Sequence, residues 1–245
     1  MRTATLKHQK LNEGKETTVW YPISDEEFKD QFAEIFNEEH YAEGRTENGT
    51  YVDLGANIGL TALYFKDCAK EYYAVEPSRQ CFEALKHNTE GMNIKLFNNA
   101  IWSCDKEQYL YQVAKDSVSQ TFFTDEHAAL GRESVICKGL DTFFEENQIA
   151  HVDVLKIDVE NSEYAILPSE SFARVAGRID LIIGESHYDA LTGAVPQIIP
   201  VILGECGFET TFLPQKNTTY DLHFTEPGKE TRTYKLATNT LFVAR

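Results

Sequence analysis

The sequence predicts an α/β fold: a doubly wound, mostly parallel sheet closed by antiparallel strands at its C-terminal end. Three observations carry this. Strand-like and helix-like stretches alternate along the chain, which favours parallel strands covered on both faces. A run of strand formers at residues 51–60, "YVDLGANIGL", breaks into a tight glycine-punctuated turn that opens a helix. Polar and acidic residues recur where the predicted strands end, the edge at which such sheets bind their ligands.

Taken in order, the first 48 residues form an N-terminal helical segment. Its run "DEEFKDQFAEIFNEEHY" places Phe28, Phe32, Ile35 and Phe36 at spacings of three and four, an apolar stripe that packs on the main domain. "GTYVDL" then predicts a strand, "IGLTALYFKDCAK" a helix and "EYYAVEP" a strand ending in an acid and a proline. "SRQCFEALKHNTEG" predicts a helix with Ser78 as N-cap and Gly91 as its stop. "NIKLFNNAI" is a third strand, and residues 103–138, with "EQYLYQV" and "ESVICKGL" around a polar loop, predict a hairpin-like insertion. "HVDVLKIDVE" and "LIIGESHY" are buried strands, and "FETTFL", "YDLHFT" and "NTLFVAR" are closing antiparallel strands. Repeats and low-complexity tracts are absent, so residues 1–245 are expected to form one domain.

Composition narrows the function. Lys and Arg total 23 against 39 Asp and Glu, a formal charge of −16 that repels phosphate backbones and anionic membranes. Nucleic acid and membrane partners are therefore not expected. The five cysteines, at 68, 81, 104, 137 and 206, form no CxxC pair and read as reduced thiols. The N-terminal stretch lacks the apolar core of a signal peptide, and a soluble, cytoplasmic protein is expected.

The predicted strand ends gather Asp53 to Gly59, Glu76, Asn98 and Asn99, Asp158 with Glu160, and Glu185 with His187. Any one of these reads most simply as a helix cap or turn residue; convergence on one sheet edge makes the set a candidate site. Gly55 and Gly59 allow close backbone approach, and Asn57 tolerates a left-handed conformation. The spacing departs from the G-x-G-x-x-G of dinucleotide enzymes, and Asp53 ahead of the glycines disfavours a phosphate. Glu76 stands where an acid accepts hydrogen bonds from a ribose diol. The pattern describes a nucleoside with a cationic, amino-acid-like appendage, and S-adenosylmethionine fits it.

The blocks "VDLGANIGL", "AVEPS", "NNAI", "GLDTF" and above all "VDVLKIDVENSEYAIL" resemble, in order and spacing, those of the FkbM family of class I S-adenosylmethionine-dependent methyltransferases, over about residues 25–245. The resemblance implies a Rossmann-like, seven-stranded sheet whose last strand is antiparallel. It implies that Asp53, Gly55, Asn57 and Gly59 line the methionine end of the cofactor, that Glu76 holds the ribose hydroxyls, and that Asn99 lies near the adenine. It also implies a small-molecule or sugar hydroxyl as acceptor, hence O-methylation. One departure stands out: relatives carry Asp-Val-Glu-Gly where this chain has Asp158-Val159-Glu160-Asn161. Asn is the least costly substitute if the backbone there is left-handed.

Methyl transfer to a hydroxyl needs alignment of the acceptor and removal of its proton. His187, with a side-chain pKa naturally near neutrality, is the candidate general base. Asp158 and Glu185 occupy the strand ends that carry the metal-binding acids of catechol-type O-methyltransferases; a divalent metal is admitted on that analogy but not expected. Glu160 and Glu163 lie one loop outward, Glu163 also reading as a first-turn helix acid. Lys156, inside a buried strand, is expected to pair with an acid rather than act in catalysis. Tyr41 is a candidate to close over the cofactor, and Tyr109, Tyr111, Phe122 and Phe123 to face the acceptor, although strand-spaced aromatics more often serve the core. Two other classes share part of this pattern. A nicotinamide oxidoreductase would use the glycine turn and Glu76 but lacks the third glycine, and a non-catalytic nucleoside-binding module would accommodate Asn161.

Overall fold

The computed structural model describes residues 1–112, 120–122, 129–187, 196–213, 219–224, 232–237 and 239–245. Phe123 and the other residues of 113–119 and 123–128, within the 103–138 insertion, lie outside the described residues.

The chain opens not with a helix but with an antiparallel hairpin, β1 (Arg2–Lys7) and β2 (Glu16–Tyr21), around a short α1 (Gln9–Asn12). The Thr- and Val-rich segments "RTATLK" and "ETTVWY" have a branched, pleat-filling pattern that the longer phenylalanine stripe overshadows in the sequence. The predicted helix follows as α2 (Asp25–Phe32), capped by the Ser24 side chain accepting from the Glu27 amide at 3.2 Å, and runs into a π-helical turn at Ala33–Asn37. Asn88 stitches the hairpin to the domain: it accepts from the Trp20 amide at 2.7 Å and donates to the Trp20 carbonyl at 2.8 Å.

Next come β3 (Gly49–Leu54), α3 (Leu60–Phe65), β4 (Ala69–Val75), α4 (Arg79–Asn88) and β5 (Ile94–Phe97). The helix predicted to reach residue 70 stops at Phe65, and β4 starts two residues early because Ala69 already pairs with Gly49. Ser78 and Gly91 flank α4 as expected, with Gly91 at φ +79°. "NIKLFNNAI" is not one strand: it splits into β5 in the main sheet and β6 (Ala100–Trp102), which joins β7 (Lys106–Gln112), β8 (Gln120–Thr121) and β9 (Gly131–Gly139) of the insertion in a small separate sheet in which β7 and β9 pair antiparallel. The rest is α5 (Leu140–Glu146), β10 (Val152–Ile157), α6 (Glu163–Ile166), α7 (Glu170–Val175), β11 (Ile179–His187), α8 (Ile199–Glu205), β12 (Thr210–Phe212), β13 (Thr219–Phe224), β14 (Arg232–Ala237) and β15 (Asn239–Ala244).

The main sheet is seven-stranded in the order β12-β15-β11-β10-β3-β4-β5, and β15 alone runs against the other six; β12, from the "FETTFL" expected to be antiparallel, runs in the direction of β11 because its only partner is the reversed β15. "YDLHFT" does not close this sheet as expected; it pairs with β14 in a hairpin of its own, its backbone partners being local ones. One face of the sheet packs on the N-terminal elements, α3 and α4 through Tyr21, Phe28, Phe36, Tyr64 and Leu85; the other packs on α5, α7 and α8 through Phe143, Phe172 and Leu203. From β3 the chain winds outward to β4, and from β10 it winds the opposite way to β11, which makes the β3–β10 junction the switch point where such sheets open a crevice. No helix among the described residues is long and apolar enough to cross a membrane.

Candidate functional site

A cavity of about 370 Å³ opens at that junction, within the size range of small-molecule sites. Its walls include Gly55, Asn57, Glu76, Asn99, Asp158, Glu160, Glu185 and His187, eight of the ten residues that the sequence points to. Asp53 and Gly59 are not among them.

Asp53 lies beneath the turn. It and Lys156 are register partners on adjacent strands and point to the same face, where Lys156 Nζ stands 3.2 Å from Asp53 Oδ1. Tyr72 donates its hydroxyl to Asp53 Oδ2 at 2.7 Å. Lys156 also donates to the Gly55 carbonyl at 2.7 Å and lies 3.5 Å from Asp158 Oδ2. Burial disfavours its ammonium, but Asp53 and Asp158 outweigh this and raise its pKa, and the expected pairing of this lysine with acids is what the geometry shows.

The glycine turn owes its composition to this crowding. Gly55 has φ +77°, and a Cβ there would stand 1.9 Å from the Asp158 carbonyl oxygen. Gly59, at φ +88°, starts α3 against Leu85. Asn57 is left-handed at φ +50°, as expected; its amide donates to Glu76 Oε2 at 2.8 Å and its Oδ1 is buried without a hydrogen-bond partner. Glu76 Oε1 accepts from the Ser78 amide at 2.8 Å, so one carboxylate ties the end of β4 to the turn after β3. Burial pushes its pKa up to about 7, opposed by those two amides. Asn98 braces the same corner through the Glu76 and Pro77 carbonyls.

At the far side, Asp158 Oδ2 accepts from the Tyr41 hydroxyl at 3.0 Å, which sets that buried ring over the cavity wall. Burial would raise the Asp158 pKa, but Lys156 and His187 bring it below its usual value. Glu185, 8% exposed, is pushed to about 8 by burial and by Asp158. His187 Nδ1 meets Glu163 Oε1 at 3.2 Å, while Nε2 faces Asp158 Oδ1 and Glu160 Oε2, each at 3.9 Å. Burial acts against its imidazolium, yet Glu160 and Glu163 hold its pKa well above the usual value. These acidic neighbours favour the charged form of the candidate base named from the sequence. Glu160 and Asn161 are both left-handed, at φ +51° and +77°, which accounts for the asparagine tolerated in place of glycine.

The sequence reading missed Gln31 and Glu34, which the π-helical turn and the helix before it bring to the cavity, and Ser162, whose buried Oγ has no hydrogen-bond partner. The sequence signal was an acid, Glu34, flanked by Phe32 and Ile35 on an apolar stripe. Burial and the nearby Asp158 push its pKa up to about 7. Of the aromatics, Phe122 lines the cavity, whereas Tyr111 is buried outside its walls and Tyr109 is exposed. Among the described residues, Glu34, Glu76, Asp158, Glu160 and Glu185 bring five carboxyl groups to a cavity whose ammonium, Lys156, is paired with Asp53, a set of acceptors that disfavours a polyphosphate.

No curated protein sequence matches the chain. Among solved structures it is similar to Aeropyrum pernix fibrillarin in complex with natively bound S-adenosyl-L-methionine (11% identity, covering 99% of this chain and 98% of that one, TM-score 0.47). It is also similar to an S-adenosylmethionine-dependent methyltransferase from Agrobacterium tumefaciens (12% identity, 99% and 69%, TM-score 0.48). A third is the magnesium protoporphyrin IX methyltransferase of Synechocystis PCC 6803 with its bound cofactor (12% identity, 89% and 78%, TM-score 0.44). The methyltransferase FkbM domain matches residues 53–210, from the acid that opens the glycine turn to the start of β12. The chain belongs to the FkbM methyltransferase family.

Proposed function

We propose that this S-adenosylmethionine-dependent methyltransferase transfers the methyl group to a hydroxyl of a small molecule or sugar. The observation that carries the reading is the division of one cavity into two chemistries: Glu76, Asn57 and Asn99 on the β4 side, and the Asp158, Glu160, Glu185 and His187 cluster on the β10–β11 side.

On the first side, Glu76 would accept the ribose hydroxyls while its two amide bonds fix its orientation, Asn99 would face the adenine, and Asn57 Oδ1 would gain the partner it lacks. Gly55 brings the backbone against the methionine end, and Asp53 supports that floor through Lys156 rather than by contact. The bound cofactor supplies an electrophilic methyl on a sulfonium, which the surrounding carboxylates favour by charge. On the second side, the acceptor O–H loses its proton to a carboxylate of the cluster as the new O–C bond forms and the C–S bond breaks. Glu160, whose side chain is 38% exposed, stands where that proton can leave for solvent. His187, in hydrogen-bond contact with Glu163, orients the acids around it.

The test incubates the protein and labelled S-adenosylmethionine with parallel panels of hydroxylated small molecules, sugars and amines, and follows S-adenosylhomocysteine release. Turnover confined to hydroxyl acceptors is expected. Turnover on amines alone would overturn the O-methyl reading.

A further inference from the structure

We propose that Glu34 is a specificity-determining residue that selects acceptors carrying a protonated amine beside the hydroxyl to be methylated, amino sugars being the class that joins the two groups. The inference rests on the methyl-transfer reading and names the acceptor class for the same cavity.

Glu34 reaches the cavity from a part of the chain outside the family match, which begins at residue 53. The Glu38 amide donates to the Ala33 carbonyl at 2.8 Å, closing the π-helical turn, and the His40 amide donates to the Glu34 carbonyl at 3.0 Å. These bonds hold the backbone on which the acid is carried. One turn earlier, Gln31 Oε1 accepts from Asn57 Nδ2 at 3.3 Å, which ties the segment to the glycine turn on the cofactor side. Glu34 sits toward the other side: Asp158 is the charge that acts on it most, and it acts in turn on Glu185. The segment therefore bridges the crevice, with Gln31 beside the cofactor half and Glu34 beside the half where the acceptor reacts.

Other acids of the cavity are engaged within the protein. Glu76 accepts from the Asn57 and Ser78 amides, Asp158 accepts from the Tyr41 hydroxyl, and Glu160 faces His187 across 3.9 Å. Glu34 is half-buried, and among the described residues no side chain or amide donates to its carboxyl group; the charges that act most on it, Asp158, Asp30 and Glu38, are all acids. Burial strips part of its water, and a donor on the ligand would replace what is lost. An ammonium matches this lining better than a hydroxyl does. It carries three donors and no acceptor, so it turns no lone pair toward the oxygens of Glu34, Asp158 and Glu185, whereas a hydroxyl brings one donor and two lone pairs. A protonated nitrogen also lacks the lone pair needed to attack a methyl group. Held on Glu34, it leaves the neighbouring hydroxyl as the nucleophile.

The test loads the protein with S-adenosylhomocysteine and titrates it by calorimetry at neutral pH with matched sugars: glucosamine against glucose, galactosamine against galactose, and mannosamine against mannose. Thermal melts of each variant establish folding. At least one amino sugar is expected to bind about tenfold or more tighter than its neutral counterpart, the factor a charge-assisted hydrogen bond supplies, and folded Glu34→Gln to lose that preference. Asp30→Asn removes the same charge one turn away, at an exposed position, and should keep it. Affinity for S-adenosylhomocysteine should be the same in wild type and Glu34→Gln. No amino-sugar binding to the loaded wild type, equal affinity within every pair, or a preference that survives in folded Glu34→Gln would overturn the assignment. Weaker S-adenosylhomocysteine binding in Glu34→Gln would overturn it too, by placing the acid on the cofactor's own ammonium. Labelled S-adenosylmethionine supplied to the same pairs reads methyl transfer separately: amino-sugar binding through Glu34 with no methyl transfer to oxygen counts against the O-methyl reading and not against the binding role of Glu34.

Discussion

Replacing Gly55 with alanine tests how tightly the turn after β3 is pressed against the end of β10. Two costs add. The backbone at φ +77° penalises any side chain by about 1–2 kcal/mol. The new Cβ would also stand 1.9 Å from the Asp158 carbonyl oxygen and 3.0 Å from its carbon, backbone atoms that cannot rotate away. Relief requires the turn and the β10 end to part by about 1 Å or more, which stretches the Asp158 amide bond to the Leu54 carbonyl at 3.2 Å and the Lys156 bond to the Gly55 carbonyl at 2.7 Å. At about 1 kcal/mol for each of the two bonds, the total comes to about 3–4 kcal/mol, or a melting temperature lower by about 10 °C. Gly91→Ala is the internal control: φ is +79° but nothing lies within 4 Å of its Cβ, so only the conformational cost of about 1–2 kcal/mol applies. Urea denaturation of both variants against wild type separates the two contributions. Equal destabilisation by the two substitutions would refute the close approach.

Three further outcomes follow from the buried charges and the strained loop. Lys156→Met removes the cation between Asp53, 1% exposed, and Asp158, leaving Asp53 with only the Tyr72 hydroxyl; a loss of about 3–5 kcal/mol in urea unfolding is expected, and a neutral result would contradict the pairing. Because burial raises the Glu76 pKa to about 7, the folded protein keeps a proton that the unfolded chain releases near 4.5; this contribution is complete below pH 4.5, is lost as the pH rises through about 7, and amounts to about 3 kcal/mol. Glu76→Gln should flatten that part of the stability–pH curve of chelator-treated protein, and an unchanged slope would count against it. Asn161→Gly relieves a residue at φ +77° whose Oδ1 is buried without a partner, and should stabilise the protein by up to about 1 kcal/mol in thermal melts; destabilisation would mean that the asparagine side chain contributes a contact of its own.

Much of the sheet was legible because its strands are short, apolar and separated by punctuating residues. "GTYVDL" and "HVDVLKIDVE" could scarcely be anything but buried strands, and their terminal acids marked the ligand edge. The N-terminal hairpin was not legible, because its Thr-rich strands carry little hydrophobic signal beside the phenylalanines of α2, and its pairing becomes secure only through Asn88, a residue 68 positions away from Trp20. Helix α3 was overextended for a similar reason: the apolar run after Gly59 does not say where tertiary pairing of Ala69 with Gly49 takes over. In the site, the left-handed Asn57 and the pairing of Lys156 could be read from residue type and position. The raised pKa of His187 could not. It depends on Glu160 in the loop after β10, Glu163 at the start of α6 and Glu185 near the end of β11 converging, and Glu34 reaches the same cavity from the π-helical turn.

The central claim is that this cavity binds S-adenosylmethionine with Glu76 as the anchor of its ribose, and calorimetric titration with S-adenosylmethionine and S-adenosylhomocysteine, on wild type and Glu76→Ala side by side, tests it most directly. Loss of a charge-assisted hydrogen bond is worth about 1.5–3 kcal/mol, a weakening of about 10- to 150-fold. Saturable binding of both ligands to folded wild type, weakened by that factor in folded Glu76→Ala, is the predicted result. No binding to intact, ligand-free wild type, or equal affinity in the two proteins, would contradict the account.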